Sequence, residues 1–156
     1  MSTQILPAPV RKSIFVEAPP AHAFDVFTRG IGRWWPKSHK IGAIDLDKPV
    51  IEPRADGRWY QLGVDGSECD VGKVLEWDPP ARLVLAWQLT ADWTYDPDLI
   101  TEVEVTFTAE GPGTRVDLEH RKLERIGERA EAMREAIDSP NGWGLLLGLF
   151  SETSAK

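Results

Sequence analysis

The sequence predicts an α+β fold: a curved antiparallel sheet of about six to seven strands wrapped around a long C-terminal helix, with two short helices after the first strand. Two patterns carry that prediction. Several short segments alternate apolar and polar residues with period two and are joined by turn-forming residues, and connections that short make neighbouring strands antiparallel. The end of the chain instead repeats its apolar residues at helical spacing. A single antiparallel sheet needs its apolar face covered, and the C-terminal helix is the one element large enough to cover it.

Residues 10–17 place Val10, Lys12, Ile14 and Val16 on one face and Arg11, Ser13 and Phe15 on the other, which reads as the first strand. Ala18-Pro19-Pro20 ends it and opens a helix, because proline is favoured in a first helical turn. Ala23, Phe24, Phe27 and Ile31 form the apolar stripe of that helix, Gly30 and Gly32 break it, and Trp34-Trp35-Pro36 forms a second short one. Residues 37–48 read as a polar loop. Strands are expected at 50–54, 58–64, 69–77, 82–89, 99–109 and 114–122, with 91–98 a loop. The C-terminal helix is expected at about 127–151 with a break near Ser139-Pro140, where Ser139 caps and Pro140 opens the second part. One domain spanning 10–153 and a flexible segment at 1–9 complete the expectation.

Composition narrows the function. The chain has 156 residues, 42% hydrophobic and 28% charged, which suits one core without a metal or disulfide staple. Eighteen Lys and Arg face twenty-five Asp and Glu, for a net charge of −7. With no basic cluster, nucleic acid and anionic membranes are poor partners. The longest apolar runs, 83–87 and 145–150, fall far short of the ~18 residues of a membrane span. Residues 1–10 lack the apolar stretch of a secretory signal, so the expected compartment is cytoplasmic. Cys69 is the only cysteine, which excludes an intramolecular disulfide. Its neighbours Glu68 and Asp70 would raise the thiol pKa, which argues against a nucleophile. His22, His39 and His120 have no metal-binding spacing, and no glycine-rich phosphate loop or nucleophile elbow occurs, so neither metal nor cofactor is expected.

Four stretches occur in order: Ser13-Ile14-Phe15-Val16-Glu17-Ala18-Pro19 with Ala23-Phe24-Asp25-Val26-Phe27-Thr28; Gly72-Lys73-Val74-Leu75-Glu76-Trp77-Asp78-Pro79-Pro80 running on to Trp87; Gly113-Thr114-Arg115-Val116-Asp117-Leu118-Glu119-His120; and Gly142-Trp143. Together they resemble the START-like (Bet v 1-like) superfamily and, within it, the Hsp90-ATPase-activator-homologue-like branch, over roughly residues 10–150. The resemblance implies a helix-grip fold with a cavity between the sheet and the C-terminal helix. Members of the wider superfamily bind lipids, sterols or plant hormones, or cyclise polyketides, so the fold alone leaves function open.

The residues that could line such a cavity are mostly aromatic. Tryptophan occurs seven times, with five Phe and two Tyr, and flat bulky side chains both fill cores and line pockets. Trp87 shares a strand face with Leu83, Leu85 and Leu89, Trp143 and Leu147 lie on the apolar helix face, and Trp59 and Phe107 lie on strands. Trp34 and Trp35 sit at the mouth that the resemblance implies, and Trp93 and Tyr95 lie in a loop able to fold over the opening. His120 ends the inward run Val116, Leu118, His120 and, with Gln61 or Tyr95, is the polar handle expected. Glu102, Glu104, Asp117 and Glu119 face solvent instead, where Arg115 and Arg121 can pair across strands. The expected function is therefore binding of a small, largely apolar molecule. The alternatives are a cyclase- or hydrolase-type enzyme using His120, and a co-chaperone-like interaction module. A homodimer is compatible with all three.

Overall fold

The computed structural model describes residues 8–41 and 43–155. In chain order the elements are β1 (Val10–Val16), α1 (Pro20–Phe27), a 3₁₀ turn (Ile31–Arg33), β2 (Leu46–Ile51), β3 (Arg58–Gly63), β4 (Glu68–Asp78), β5 (Arg82–Trp87), β6 (Thr101–Glu110), β7 (Gly113–Arg121), a second 3₁₀ turn (Leu123–Ile126), α2 (Ala130–Asp138) and α3 (Trp143–Ser154). The strands form one antiparallel sheet in the order β1-β7-β6-β5-β4-β3-β2. Consecutive strands from β2 to β7 are neighbours, as their short connections require. β1 closes the far edge against β7, with Val10 opposite His120 and Val16 opposite Thr114.

The curl has a visible cause in β4. Its pairing shifts register against β3 between Trp59 and Tyr60, and against β5 between Val74 and Glu76. Bulges of this kind bend a strand and increase its twist. Between them Gly72 packs against Trp87's neighbour, Ala86: a Cβ at Gly72 would collide with the Ala86 carbonyl oxygen.

Helix α1 begins at Pro19-Pro20, where the missing N–H groups would have had no helical partner. It buries Ala23, Phe24, Val26 and Phe27 against the concave face. Phe24 meets Trp77 and Phe107 edge-on at 5.0 and 5.2 Å, and Phe27 meets Phe150 of α3 at 5.2 Å. Such pairs contribute about 0.5–1.5 kcal/mol beyond the area they bury. The convex face carries the acids as expected. Arg121 pairs with Glu102, Glu104 and Glu119, and Arg82 pairs with Glu76 and Glu104, so one ladder of charge crosses β4 to β7. Arg115 pairs with Asp117 on its own strand rather than across the sheet.

Three local expectations change. Residues 46–48 belong to β2, which starts four residues before the expected 50–54, and contains Pro49. Proline interrupts a sequence pattern but is tolerated on an edge strand, and β2 is an edge. The second short helix is a single 3₁₀ turn at Ile31–Arg33, ahead of Trp34-Trp35 rather than on them. The C-terminal helix breaks at Ser139-Pro140, but Ser139 does not cap its second part. The Ser139 hydroxyl turns back to the Ala136 carbonyl at 2.6 Å, and α3 starts only after Gly142. Of the segment 1–9, residues 1–7 lie outside the described residues, while the Ala8 carbonyl accepts a hydrogen bond from Arg134 Nε at 2.7 Å.

Two glycine substitutions separate close approach from mere flexibility. Gly72→Ala should cost more than the ~1–3 kcal/mol usual for overpacking, because backbone rather than a side chain must move. Gly148→Ala, inside α3 with open space around it, should stabilise by about 0.5–1 kcal/mol. Urea midpoints of the two variants check both signs.

Candidate functional site

The concave face is filled at one end and hollow at the other. Phe24, Phe27, Trp34, Phe107 and Phe150 pack ring against ring with centroids 5.2–6.0 Å apart, and leave no space between them for a ligand. Beyond Trp34 and Trp35, whose rings lie 5.8 Å apart, the packing opens into a half-open cavity of about 410 Å³. That volume lies in the range of small-molecule sites, roughly 300–1,000 Å³.

The cavity lies where the two C-terminal helices part. Ile137 of α2 and Trp143 and Leu146 of α3 form one wall, Val71 and Trp87 of the sheet another, and Trp93 the rim. The loop after Trp35 closes the remaining side and is held by its own hydrogen bonds. Trp35 Nε1 and Gln61 Nε2 both donate to the His39 carbonyl at 3.0 Å, and Gln61 Oε1 accepts from the Ile41 amide at 2.9 Å. His39 Nε2 lies 2.7 Å from the Asn141 carbonyl, which can only accept, so the proton sits on Nε2 and Nδ1 accepts from the Ser38 hydroxyl at 3.1 Å. This contact spans 102 residues and joins the loop to the break between α2 and α3.

His120 lies behind this wall, fully buried. The Trp143 indole can only donate, so its contact to His120 Nδ1 at 3.2 Å puts the imidazole proton on Nε2. Nε2 then donates to Thr101 Oγ1 at 2.9 Å, and the Thr101 hydroxyl donates to the Trp87 carbonyl, also at 2.9 Å. Every member of the chain has its partner. Burial without an acidic neighbour pushes the His120 pKa from 6.5 down to about 3, so the ring is neutral across the physiological range.

The expected ligand set therefore divides. Trp35, Trp87, Trp93 and Trp143 line the cavity. Trp59 stands behind Trp35 and Trp87, at 6.4 and 5.7 Å. Trp34, Phe107 and Leu147 are buried in the core and do not line the cavity, nor does His120, whose two ring nitrogens are already engaged. Tyr95 does not line the cavity but is bridged to Leu89 at the foot of the β5–β6 connection that carries Trp93. Trp93 is 42% exposed, and its backbone sits in the left-handed region at φ 63°, which costs a bulky residue about 1–2 kcal/mol. The Trp93 amide bonded to the Thr90 carbonyl at 2.8 Å helps hold that conformation. Sequence reasoning missed His39, Lys40, Ile41, Ile137, Asn141 and Leu146 on the cavity wall. Helical spacing grouped Ile137 and Leu146 with the core, and nothing local distinguishes them from it.

The profile of the family described as Activator of Hsp90 ATPase homolog 1-like protein matches residues 17–153. No curated protein matches the chain. Among solved structures, an anthrahydroquino-γ-pyrone synthase, Txn09, is 40% identical over 92% of this chain and 95% of its own, with a TM-score of 0.65. The solution structure of a self-sacrificing resistance protein, CalC from Micromonospora echinospora, is 33% identical over 94% and 93%, with a TM-score of 0.70. The Aha1 dimer from Colwellia psychrerythraea, 14% identical over 95% and 96% with a TM-score of 0.64, shares the fold. Among the described residues no helix is long and apolar enough to cross a membrane.

The buried imidazole makes stability depend on pH. The unfolded chain protonates His120 near pH 6.5 while the native protein keeps it neutral to about pH 3. The unfolded state thus binds more protons in that window, and stability falls as pH drops through it, by at most about 1.4 kcal/mol per pH unit from this group. Glu104, held low by Arg82, and Glu119, held low by Arg11, add the same sign only as pH approaches the ordinary carboxylate value of 4.5 and below. Urea melts between pH 6.5 and 5 should therefore show the loss in the wild type and a flatter profile in His120→Gln.

Proposed function

The chain belongs to the activator of Hsp90 ATPase homolog 1-like family, and from that premise we propose that it binds a small, largely apolar, flat molecule in the cavity between the sheet and the C-terminal helices. The observation that carries this reading is a half-open space of about 410 Å³ lined by four indoles, in a fold whose other end is densely packed. Flat walls favour flat ligands, because stacked aromatic rings add to the energy of simple burial. The 40% identity to a synthase named for an anthrahydroquinone product supports a fused-ring aromatic class. A cytoplasmic setting suits such a protein.

A second reading, a ring-forming enzyme, is favoured by that same relative. In it the acid–base group is His39 rather than His120, because His39 reaches the cavity wall and its Nδ1 need only exchange the exposed Ser38 hydroxyl for a substrate proton, while Asn141 holds the other ring nitrogen. His39→Gln would then abolish turnover and leave binding intact, whereas a pure binding protein would show no turnover to lose.

Titration with N-phenyl-1-naphthylamine tests the binding reading. The probe should saturate near one per chain and quench tryptophan emission. Leu146→Trp should block it by filling the cavity, with a stability loss no greater than the ~1–3 kcal/mol of ordinary overpacking. Absence of saturation, or undiminished binding to Leu146→Trp, would overturn the reading.

A further inference from the structure

Of the four indoles that line the cavity, Trp35, Trp87 and Trp143 are buried. Trp93 is 42% exposed, so it is the one that meets both the cavity and solvent. It lies in the β5–β6 connection, which has a fixed base and a separate tip. The base is bonded to the sheet and to itself. The Gln88 amide donates to the Val71 carbonyl and the Asp96 amide to the Gln88 carbonyl, both at 2.9 Å. Gln88 Nε2 donates to the Pro97 carbonyl at 3.0 Å, and Leu89 is bridged to Tyr95.

Beyond that bridge, residues 90–94 bond to one another. The Thr90 amide donates to the Thr94 carbonyl and the Trp93 amide to the Thr90 carbonyl, both at 2.8 Å. The Thr90 hydroxyl accepts from the Asp92 and Thr94 amides at 3.2 and 3.3 Å. The tip therefore carries the bonds that keep its shape. Among the described residues it makes one polar contact with another element: the Asp92 carboxylate pairs with the Arg129 guanidinium, 37 residues away. Arg129 immediately precedes α2, the helix that supplies Ile137 to the cavity wall. The two side chains are 73% and 58% exposed, and an ion pair so exposed holds weakly and is screened by salt. The other attachments of the tip are apolar: Ala91 packs against the core, and the Trp93 ring meets Trp87 at 6.2 Å.

We propose that the 90–94 tip is the gate through which a ligand enters and leaves the cavity, with the Trp93 indole as its moving part and the Asp92–Arg129 pair as its latch. The tip turns about the Leu89–Tyr95 bridge. Opening lifts the Trp93 indole from the rim and leaves the three buried indoles in place, so the walls stay formed while the mouth widens. The latch holds the closed tip with or without a ligand behind it. Its loss therefore raises the rates of entry and exit together and leaves the equilibrium affinity as it was. This rests on the binding reading above and adds to it the route of the ligand and the contact that controls it.

Stopped-flow mixing with N-phenyl-1-naphthylamine, which carries no charge, measures association and dissociation rates for the wild type, Arg129→Gln, Asp92→Asn and the double variant. Both rates should rise about two- to fivefold in each single variant, the range an exposed ion pair allows, with Kd unchanged. The double variant should match the single ones, because either substitution breaks the same pair. Raising NaCl from about 20 to about 300 mM should speed the wild type towards the variants and change the variants less. Arg29→Gln removes a comparably exposed pair with Asp25 away from the cavity, and should leave both rates at the wild-type values. If the probe does not saturate the wild type, the binding reading falls and this inference with it. If the probe binds and the Arg129 and Asp92 variants keep the wild-type rates, or change dissociation alone, the inference alone falls and Trp93 is a fixed part of the wall.

Discussion

The chain of hydrogen bonds from Trp143 through His120 and Thr101 to the Trp87 carbonyl is the constraint on which the rest of the structure depends. It joins α3 to β7, β6 and β5 in turn, so one buried imidazole fixes where the helix sits on the sheet. Burial of polar groups is unfavourable unless every one is paired, and here each donor meets an acceptor. The arrangement also consumes the one histidine that points inward along β7. A group that appears from its strand position to face a ligand is instead the fastener that holds the ligand's wall in place.

Much of the fold is legible in the sequence because period-two alternation and helical spacing report burial directly. Val103, Val105 and Phe107 against Glu102 and Glu104 name the two faces of β6, and Val116, Leu118 and His120 do the same for β7. The errors arise where tertiary placement decides. Pro49 argues against a strand until β2 is known to be an edge. Ser139 reads as a helix cap by its position before Pro140, but four residues of non-helical chain separate α2 from α3, and its hydroxyl serves the helix behind it.

The candidate site is only half legible, for a different reason. An aromatic in a core and an aromatic in a cavity wall carry the same pattern, since each is apolar on one face of an element. Trp34 and Trp35 are adjacent in sequence and equally buried, yet Trp34 packs against Phe27 and Phe150 while Trp35 borders empty space. His39 illustrates the opposite case. It sits in a polar stretch with no periodicity, and only the contact with Asn141, 102 residues away, brings it to the cavity. Presence in a site depends here on long-range closure, which local spacing does not encode.

A hollow of this size inside a small protein would collapse or fill unless its walls were braced independently of any ligand. The bracing is at the floor and the rim. The His120 chain holds the floor, His39 and Gln61 tie the rim loop to the α2–α3 break and to β3, and the Leu89–Tyr95 bridge supports the segment that carries Trp93. These groups spend their hydrogen bonds on one another rather than on the interior of the cavity. The walls are consequently apolar and fixed, and a ligand entering them need not order them, which removes one of the main costs of association. Specificity must then come from shape and from the faces that the indoles of the wall present to a flat ligand.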